Sequence, residues 1–184
     1  MKRLAVLSFA AVSAASFGQV WSGGGGSVPD ATATTAGSVS STIAGVPGLT
    51  SLSSIAILGL THSWCGDLIA TVSGPSGSAT LFVRIGRTTA NAIGSPFGDS
   101  SNFAGDYVFV DSGGGDIWAN ALANDPVTPG SYNATGGQSG AATGLFPGSH
   151  AAGNWTLTVE DWAGGDTGSF QGWEIRGTAV PEPA

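Results

Sequence analysis

The sequence predicts an all-β protein, a sandwich or a barrel, on three observations. Turn-forming residues are abundant, with 31 Gly and 9 Pro among 184 residues. Short apolar segments recur at intervals of roughly ten residues and are separated by turn signals, a spacing typical of β-sandwiches and barrels. No stretch of about ten or more residues repeats its apolar side chains with the helical period, so we expect helices of at most a turn or two.

The charge balance excludes two classes of partner. The chain has 5 basic against 12 acidic residues and a net charge of −7. Nucleic-acid binding requires cations that neutralise phosphates, and an anionic membrane surface repels an acidic protein. We therefore expect neither nucleic acid nor an anionic membrane as a partner.

The N-terminus has the pattern of a secretory signal peptide over residues 1–18. Lys2 and Arg3 precede a short apolar run at 4–12, and small residues then offer cleavage after Ala14 or Gly18. The run is too short for a membrane span, and the chain as given has no second one. We expect the protein to be secreted or to reach the cell surface.

Residues 19–38 are rich in Gly, Ser and Thr, and residues 23–26 are all glycine. Such a segment has few apolar side chains to bury and is typical of linkers. We expect a linker here, or a loosely attached first strand.

The next segments alternate as strands do. Residues 53–60 place Ile55 and Ile57 on one face, and residues 107–110 form another short strand. Between them, 68–72 and 79–85 flank the turn 74–77 as a hairpin. The returning strand places Leu81, Val83 and Ile85 on one face and Phe82 and Arg84 on the other.

The clearest alternation lies at 154–160. Trp155, Leu157 and Val159 point to one side of this strand, which predicts one core face and one solvent face. The glycine-rich turn 161–168 follows. The return strand then carries Phe170, Trp173 and Ile175, where the change of spacing predicts a bulge.

Several of these motifs occur together in an order that we recognise. They are His62, Gly66-Asp67-Leu68, Gly74-Pro75-Ser76-Gly77, Phe146-Pro147-Gly148, Gly153-Asn154-Trp155-Thr156-Leu157 and Asp166-Thr167-Gly168 with Trp173. In order and spacing they resemble the P domain (Homo B domain) that follows the subtilisin-like catalytic domain in proprotein convertases of the kexin and furin type. The resemblance covers residues 39–178. It is weak over 87–143, and Gly74 replaces the usual serine.

The resemblance implies a jelly-roll-like antiparallel β-sandwich. It also implies a secreted, non-catalytic module that stabilises or binds another protein, since the P domain packs against its protease. The protease itself is absent from this sequence.

The last residues, 179–184, resemble the opening of a bacterial PEP-CTERM sorting signal. They contain Pro181-Glu182-Pro183. In that family an apolar helix and a basic cluster follow the motif, and neither is present here. Either the signal has been trimmed or this is an ordinary proline-rich end, and we expect the former.

The sequence does not predict an enzyme. It has two histidines and no glycine-flanked serine elbow. A triad built from His62 or His150 with Asp67 or Asp161 stays open, although we expect His62 to be a hydrogen-bonded residue at a sheet end and His150 a solvated loop residue. The single cysteine, Cys65, has no partner for a disulfide, and we expect a small buried side chain.

Five aspartates fall at strand ends or in glycine-rich turns, where backbone carbonyls can join them: Asp67, Asp111, Asp116, Asp161 and Asp166. Such clusters suit Ca²⁺, which takes six to eight oxygen ligands. If calcium binds, we expect Asp161 and Asp166, then Asp67, as its ligands. The alternative is that these carboxylates cap turns by accepting from backbone N–H groups.

Three of the six tryptophans lie beside turns, namely Trp64, Trp118 and Trp162. Exposed aromatic rings can stack on sugars. The alternative function is therefore a carbohydrate-binding module of the cell surface or exopolysaccharide matrix, with a glycan as its partner.

Overall fold

The computed structural model describes residues 18–135, 143–146 and 148–181. The expected signal peptide lies outside the described residues except for Gly18. So do Pro147 of the resemblance and residues 182–184 of the expected tail.

The described residues form nine strands, one short α-helix and one 3₁₀ turn. The strands are β1 (Gly18–Val28), β2 (Gly37–Val46), β3 (Leu49–His62), β4 (Leu68–Gly74), β5 (Gly77–Val83), β6 (Phe103–Val110), β7 (Gly130–Asn133), β8 (Gly153–Asp161) and β9 (Gly168–Ala179). Helix α1 spans Ile117–Ala123, and the 3₁₀ turn spans Cys65–Asp67. In this part of the chain no helix is long and apolar enough to cross a membrane.

The strands form two sheets that enclose one core. The five-stranded sheet has the order β1-β9-β3-β6-β7, and the four-stranded sheet has the order β2-β8-β4-β5. Neighbouring strands are antiparallel except β6 and β7, which run parallel. The predicted all-β sandwich is confirmed.

The ribbon of β8 and β9 connects the two layers. β8 lies inside the four-stranded sheet and β9 inside the five-stranded sheet. Trp155, Leu157 and Val159 are fully buried, as the alternation predicts. On the other face of β8, hydroxyls pair with those of β2: the oxygens of Thr156 and Thr42 lie 2.9 Å apart, as do those of Thr158 and Ser40.

The predicted hairpin of β4 and β5 is also confirmed. β4 and β5 pair antiparallel with the turn at 74–77. The pairing shifts register between Ala70 and Thr71, and this shift lets both Leu81 and Phe82 be buried, although strict alternation places them on opposite faces.

Of the two alternatives for residues 19–38, a linker or a first strand, the structure shows a strand in the first half: residues 18–28 form β1 and pair antiparallel with β9. The glycines permit this. A Cβ on Gly23 would lie 2.2 Å from Nε1 of Trp173, so only glycine lets the strand pass beneath that ring. Trp173 is fully buried, and its N–H donates to Oγ of Ser41 at 3.0 Å.

The bulge expected in the return strand lies elsewhere. β9 keeps one register against β1, whereas its pairing with β3 shifts between Leu49 and Ser51 and again between Leu52 and Ser54. The extra residues therefore lie in β3, the neighbouring strand.

Adjacent glycines provide a test of β1. Gly23→Ala should lower the free energy of unfolding by about 1–3 kcal/mol, because the added methyl group overpacks against the buried ring of Trp173. Gly24→Ala is the matched control, with nothing within 4 Å of its Cβ, and should change stability by less than about 0.5 kcal/mol. Urea denaturation measures both. Equal effects of the two substitutions would contradict the packing of β1 under Trp173.

Candidate functional site

A buried histidine and a buried aspartate join the two sheets at one end of the sandwich. His62 ends β3, Asp161 ends β8, and Nε2 of His62 lies 3.2 Å from Oδ2 of Asp161. Both side chains are fully buried. The second ring nitrogen, Nδ1, lies 2.9 Å from the carbonyl oxygen of Trp64, and Oδ1 of Asp161 accepts from the N–H of Ala163 at 3.0 Å. This set of contacts is called the His62–Asp161 clamp below.

A second buried pair lies in the same region. Nη2 of Arg84 lies 3.2 Å from Oδ1 of Asp67, which belongs to the 3₁₀ turn after β3. The rest of the guanidinium donates to carbonyl oxygens, from Nε to Gly66 at 2.9 Å and from Nη1 to Ala92 at 2.7 Å. Arg84 is 0 % exposed, so these carbonyls replace water around a charged group.

Burial raises the pKa of Asp67 to about 6. The cation of Arg84 opposes this shift, whereas the nearby carboxylates of Asp161 and Asp166 add to it. At neutral pH Asp67 is mostly ionised, and below pH 6 it is mostly protonated.

Arg87 holds the loop that follows β5. Its Nη1 donates to the carbonyl oxygens of Gly94 and Pro96, and its Nη2 donates to that of Ala90 at 2.8 Å. Arg87 is buried. The loop is thereby folded back on itself, and it presents Phe97 at the surface.

These elements leave a pocket of about 160 Å³ lined by Trp64, Asp67, Phe97, Gly164 and Asp166. It is called the Trp64 pocket below. The rings of Trp64 and Phe97 meet edge to face, with centroids 6.2 Å apart.

The other hydrogen bonds at the pocket involve its rim. The indole N–H of Trp64 donates to the carbonyl oxygen of Gly98 at 3.3 Å. Asp166 comes from the turn between β8 and β9, and its Oδ1 accepts from Oγ of Ser63 at 2.6 Å.

Three of the residues expected to form sites meet here. Trp64, Asp67 and Asp166 line the pocket, and Asp161 lies behind it in the clamp. Trp162 is half-buried and does not line the pocket, although its backbone N–H donates to the carbonyl oxygen of Asp67 at 2.9 Å.

The structure corrects two expectations about single residues. Trp118 does not lie on an exposed turn: it belongs to α1, is 8 % exposed and packs in the core, so its ring offers no face for stacking. His150 is not solvated. It is 4 % exposed and packs edge to face against Phe146 and Trp155, because its backbone pairs with Leu49 beside the core.

The calcium expectation stays a prediction. In the described ranges there is no group of three or more His, Cys, Asp or Glu side chains placed to hold a metal ion. Asp116 instead caps α1, accepting from the backbone N–H groups of Trp118 and Ala119. A melting temperature that is the same in calcium chloride and in EDTA would count against a calcium site.

Among the described residues, no serine hydroxyl pairs with a histidine ring as a Ser-His-Asp triad requires. The ring nitrogens of His62 contact Asp161 and the Trp64 backbone, and those of His150 have no hydrogen-bond partner. Cys65 is buried as expected, and burial raises the pKa of its thiol well above the usual range, with the charge of Asp99 adding to the shift.

Sequence reasoning missed Phe97, Arg84 and Arg87 as parts of the site. Arg84 and Arg87 are two of the three basic residues that follow the expected signal peptide. Arg84 alternates with apolar residues in the predicted strand 79–85, and a basic residue in such a pattern indicates a buried ion pair. Phe97, by contrast, lies in a loop without any periodic pattern.

The described residues thus form an all-β sandwich with two buried pairs, His62 with Asp161 and Arg84 with Asp67. The family model of the proprotein convertase P-domain matches residues 133–177 of this chain. This match confirms the P-domain resemblance over the segment that contains β8, β9 and the turn between them. No curated protein matches the chain.

Asp67 gives a pH dependence that can be measured. Its pKa is about 6 in the folded protein and about 3.9 in the unfolded chain, so the folded state binds the proton more tightly. The stability that this proton contributes is complete below pH 4 and is lost as the pH rises through 6, a change of about 3 kcal/mol. Asp67→Asn keeps an oxygen for Arg84 but cannot ionise, so its free energy of unfolding should fall less over this range.

Urea denaturation of both proteins between pH 4 and pH 7 measures the difference. The other charged groups that act on Asp67, namely His62, Arg84, Asp161 and Asp166, are present in both proteins and serve as the internal control. Parallel pH profiles for the two proteins would show that the raised pKa is not real.

Proposed function

We propose that this protein is an exported, non-catalytic P-domain-like module that stabilises or binds another protein at a bacterial cell surface or in its exopolysaccharide matrix. The observation that carries the proposal is the position of the family match. Residues 133–177 include the β8–β9 ribbon, which supplies a strand to the interior of each sheet and carries Asp161 of the clamp.

The polar chemistry of the site supports a role without catalysis. A general base needs a ring nitrogen that reaches a reacting proton. The His62 ring is buried, and its two nitrogens are hydrogen-bonded to Asp161 and to the backbone of Trp64. His62 therefore serves to connect the two sheets, and His150, the other histidine considered for a triad, is buried against Phe146 and Trp155.

Export is supported by the basic and apolar pattern of residues 1–18. Intact-mass measurement of the protein from the culture medium or cell surface tests it. Cleavage after Ala14 or Gly18 is expected, and an uncleaved protein retained in the cytoplasm would contradict export.

The carbohydrate-binding alternative keeps one supporting observation, because Trp64 lines a pocket that solvent reaches past the exposed Phe97. The buried Trp118 adds nothing to such a platform. Glycan-array binding that Trp64→Ala abolishes would support this alternative.

The non-catalytic role predicts no reaction with a serine-directed probe. Purified protein incubated with a fluorophosphonate should remain unlabelled, and casein should remain intact, with subtilisin as the positive control. Peptide mapping by mass spectrometry identifies any labelled residue without the need for a variant. A labelled serine, together with casein hydrolysis that the fluorophosphonate blocks, would overturn the proposal.

A further inference from the structure

The side chains of the Trp64 pocket offer hydrogen-bond acceptors and aromatic faces. Asp67 and Asp166 supply carboxylate oxygens, and Trp64 and Phe97 supply rings. The single polar hydrogen of these four side chains, the indole N–H of Trp64, already donates to the carbonyl oxygen of Gly98. A ligand that pairs with these side chains must therefore bring the donors.

In Asp67 and in Asp166, one carboxylate oxygen accepts a hydrogen bond and the other has no donor among the described residues. Oδ1 of Asp67 contacts Arg84, and Oδ1 of Asp166 accepts from Ser63. Among the residues that the structure describes, none donates to Oδ2 of either aspartate. Asp67 is only 1 % exposed and lines the pocket, so what remains accessible of its carboxylate lies at the pocket wall.

The aromatic wall includes a ring that folding does not bury. Phe97 is 53 % exposed, although its loop is fixed from beneath by the buried Arg87. Its ring lies 6.2 Å from that of Trp64, so a group in the pocket contacts both rings. Aromatic faces attract cations within about 6 Å of the ring centroid.

We propose that the Trp64 pocket binds a basic side chain of a partner protein, and that the guanidinium group of arginine fits it best. A guanidinium group has five donors in a plane, pairs with carboxylates and stacks on aromatic rings. The acidic balance of the chain, 12 acidic against 5 basic residues, favours such a partner at longer range. The inference rests on the proposed interaction role and names the chemistry of the partner surface.

Two other ligands match the lining less well. A sugar hydroxyl both donates and accepts, but the lining side chains offer it no free donor. A calcium ion takes six to eight oxygens and makes no use of aromatic faces. An organic cation uses both the carboxylates and the rings.

The probe is the peptide acetyl-Gly-Arg-Gly-amide, titrated into the folded protein labelled with ¹⁵N. We expect a dissociation constant of about 1 mM, with chemical-shift changes at the Trp64 indole N–H and the Gly164 amide. The matched ligand is the same peptide with citrulline, which has the shape of arginine without its charge. It should bind at least about ten-fold more weakly.

Two variants test the walls of the pocket. Asp166→Asn should weaken arginine-peptide binding about ten-fold, and Phe97→Ala about three-fold. Glu174→Gln is the control, because it removes the same charge from β9 outside the pocket and should leave affinity unchanged. Melting temperatures check that each variant is folded, and the exposed Phe97 keeps the test valid if Asp166→Asn does not fold.

Several results would overturn the inference. Equal binding of the citrulline peptide would show that charge is not recognised, and an absence of shifts would show that the pocket binds no basic side chain. Calcium ions that shift the same signals and exclude the peptide would assign the pocket to a metal. Glycan-array binding that Trp64→Ala abolishes would assign it to a sugar. None of these results bears on the fluorophosphonate experiment, so the two proposals fail separately.

Discussion

At one end of the sandwich, His62 of β3 and Asp161 of β8 meet at 3.2 Å in a fully buried contact. A charged carboxylate in such surroundings is costly unless its oxygens are paired, and here one oxygen pairs with the histidine and the other with the Ala163 N–H. The contact thus fixes the ends of two strands from different sheets. The 3₁₀ turn and the β8–β9 turn, which follow these strands, are held beside each other as a result.

The loop after β5 depends on two arginines in place of an apolar core of its own. Arg84 and Arg87 are buried, and carbonyl oxygens of residues 90–96 surround their guanidinium groups. Each guanidinium stabilises backbone groups that have no strand partner, because buried carbonyls require donors. A chain with few basic residues therefore uses two of them to shape the wall of its pocket.

Local patterns in the sequence predict the strands but not the contacts between distant segments. The β4–β5 hairpin and the core face of β8 were predictable because alternation and turn residues are read within about ten positions. β1 was only one of two alternatives, since its glycines pack by leaving room for Trp173, a side chain about 150 residues away. The pocket likewise combines three segments, and nothing local in the sequence places Phe97 against Trp64. The sequence singles out the aspartates one by one. Only the fold places Asp161 in the clamp, Asp67 in the ion pair with Arg84 and Asp166 at the pocket rim.

The outer face of β8 carries hydroxyl side chains that pair with those of β2. Where many sheets place lysine and glutamate, β2 and β8 pair neutral hydroxyls, Ser40 with Thr158 and Thr42 with Thr156. In the described part of the chain, the one ion pair at the surface joins Arg176 and Glu174. Dissolved salt weakens exposed charge pairs and leaves hydroxyl pairs almost untouched. The stability that these hydroxyl pairs contribute therefore depends little on ionic strength.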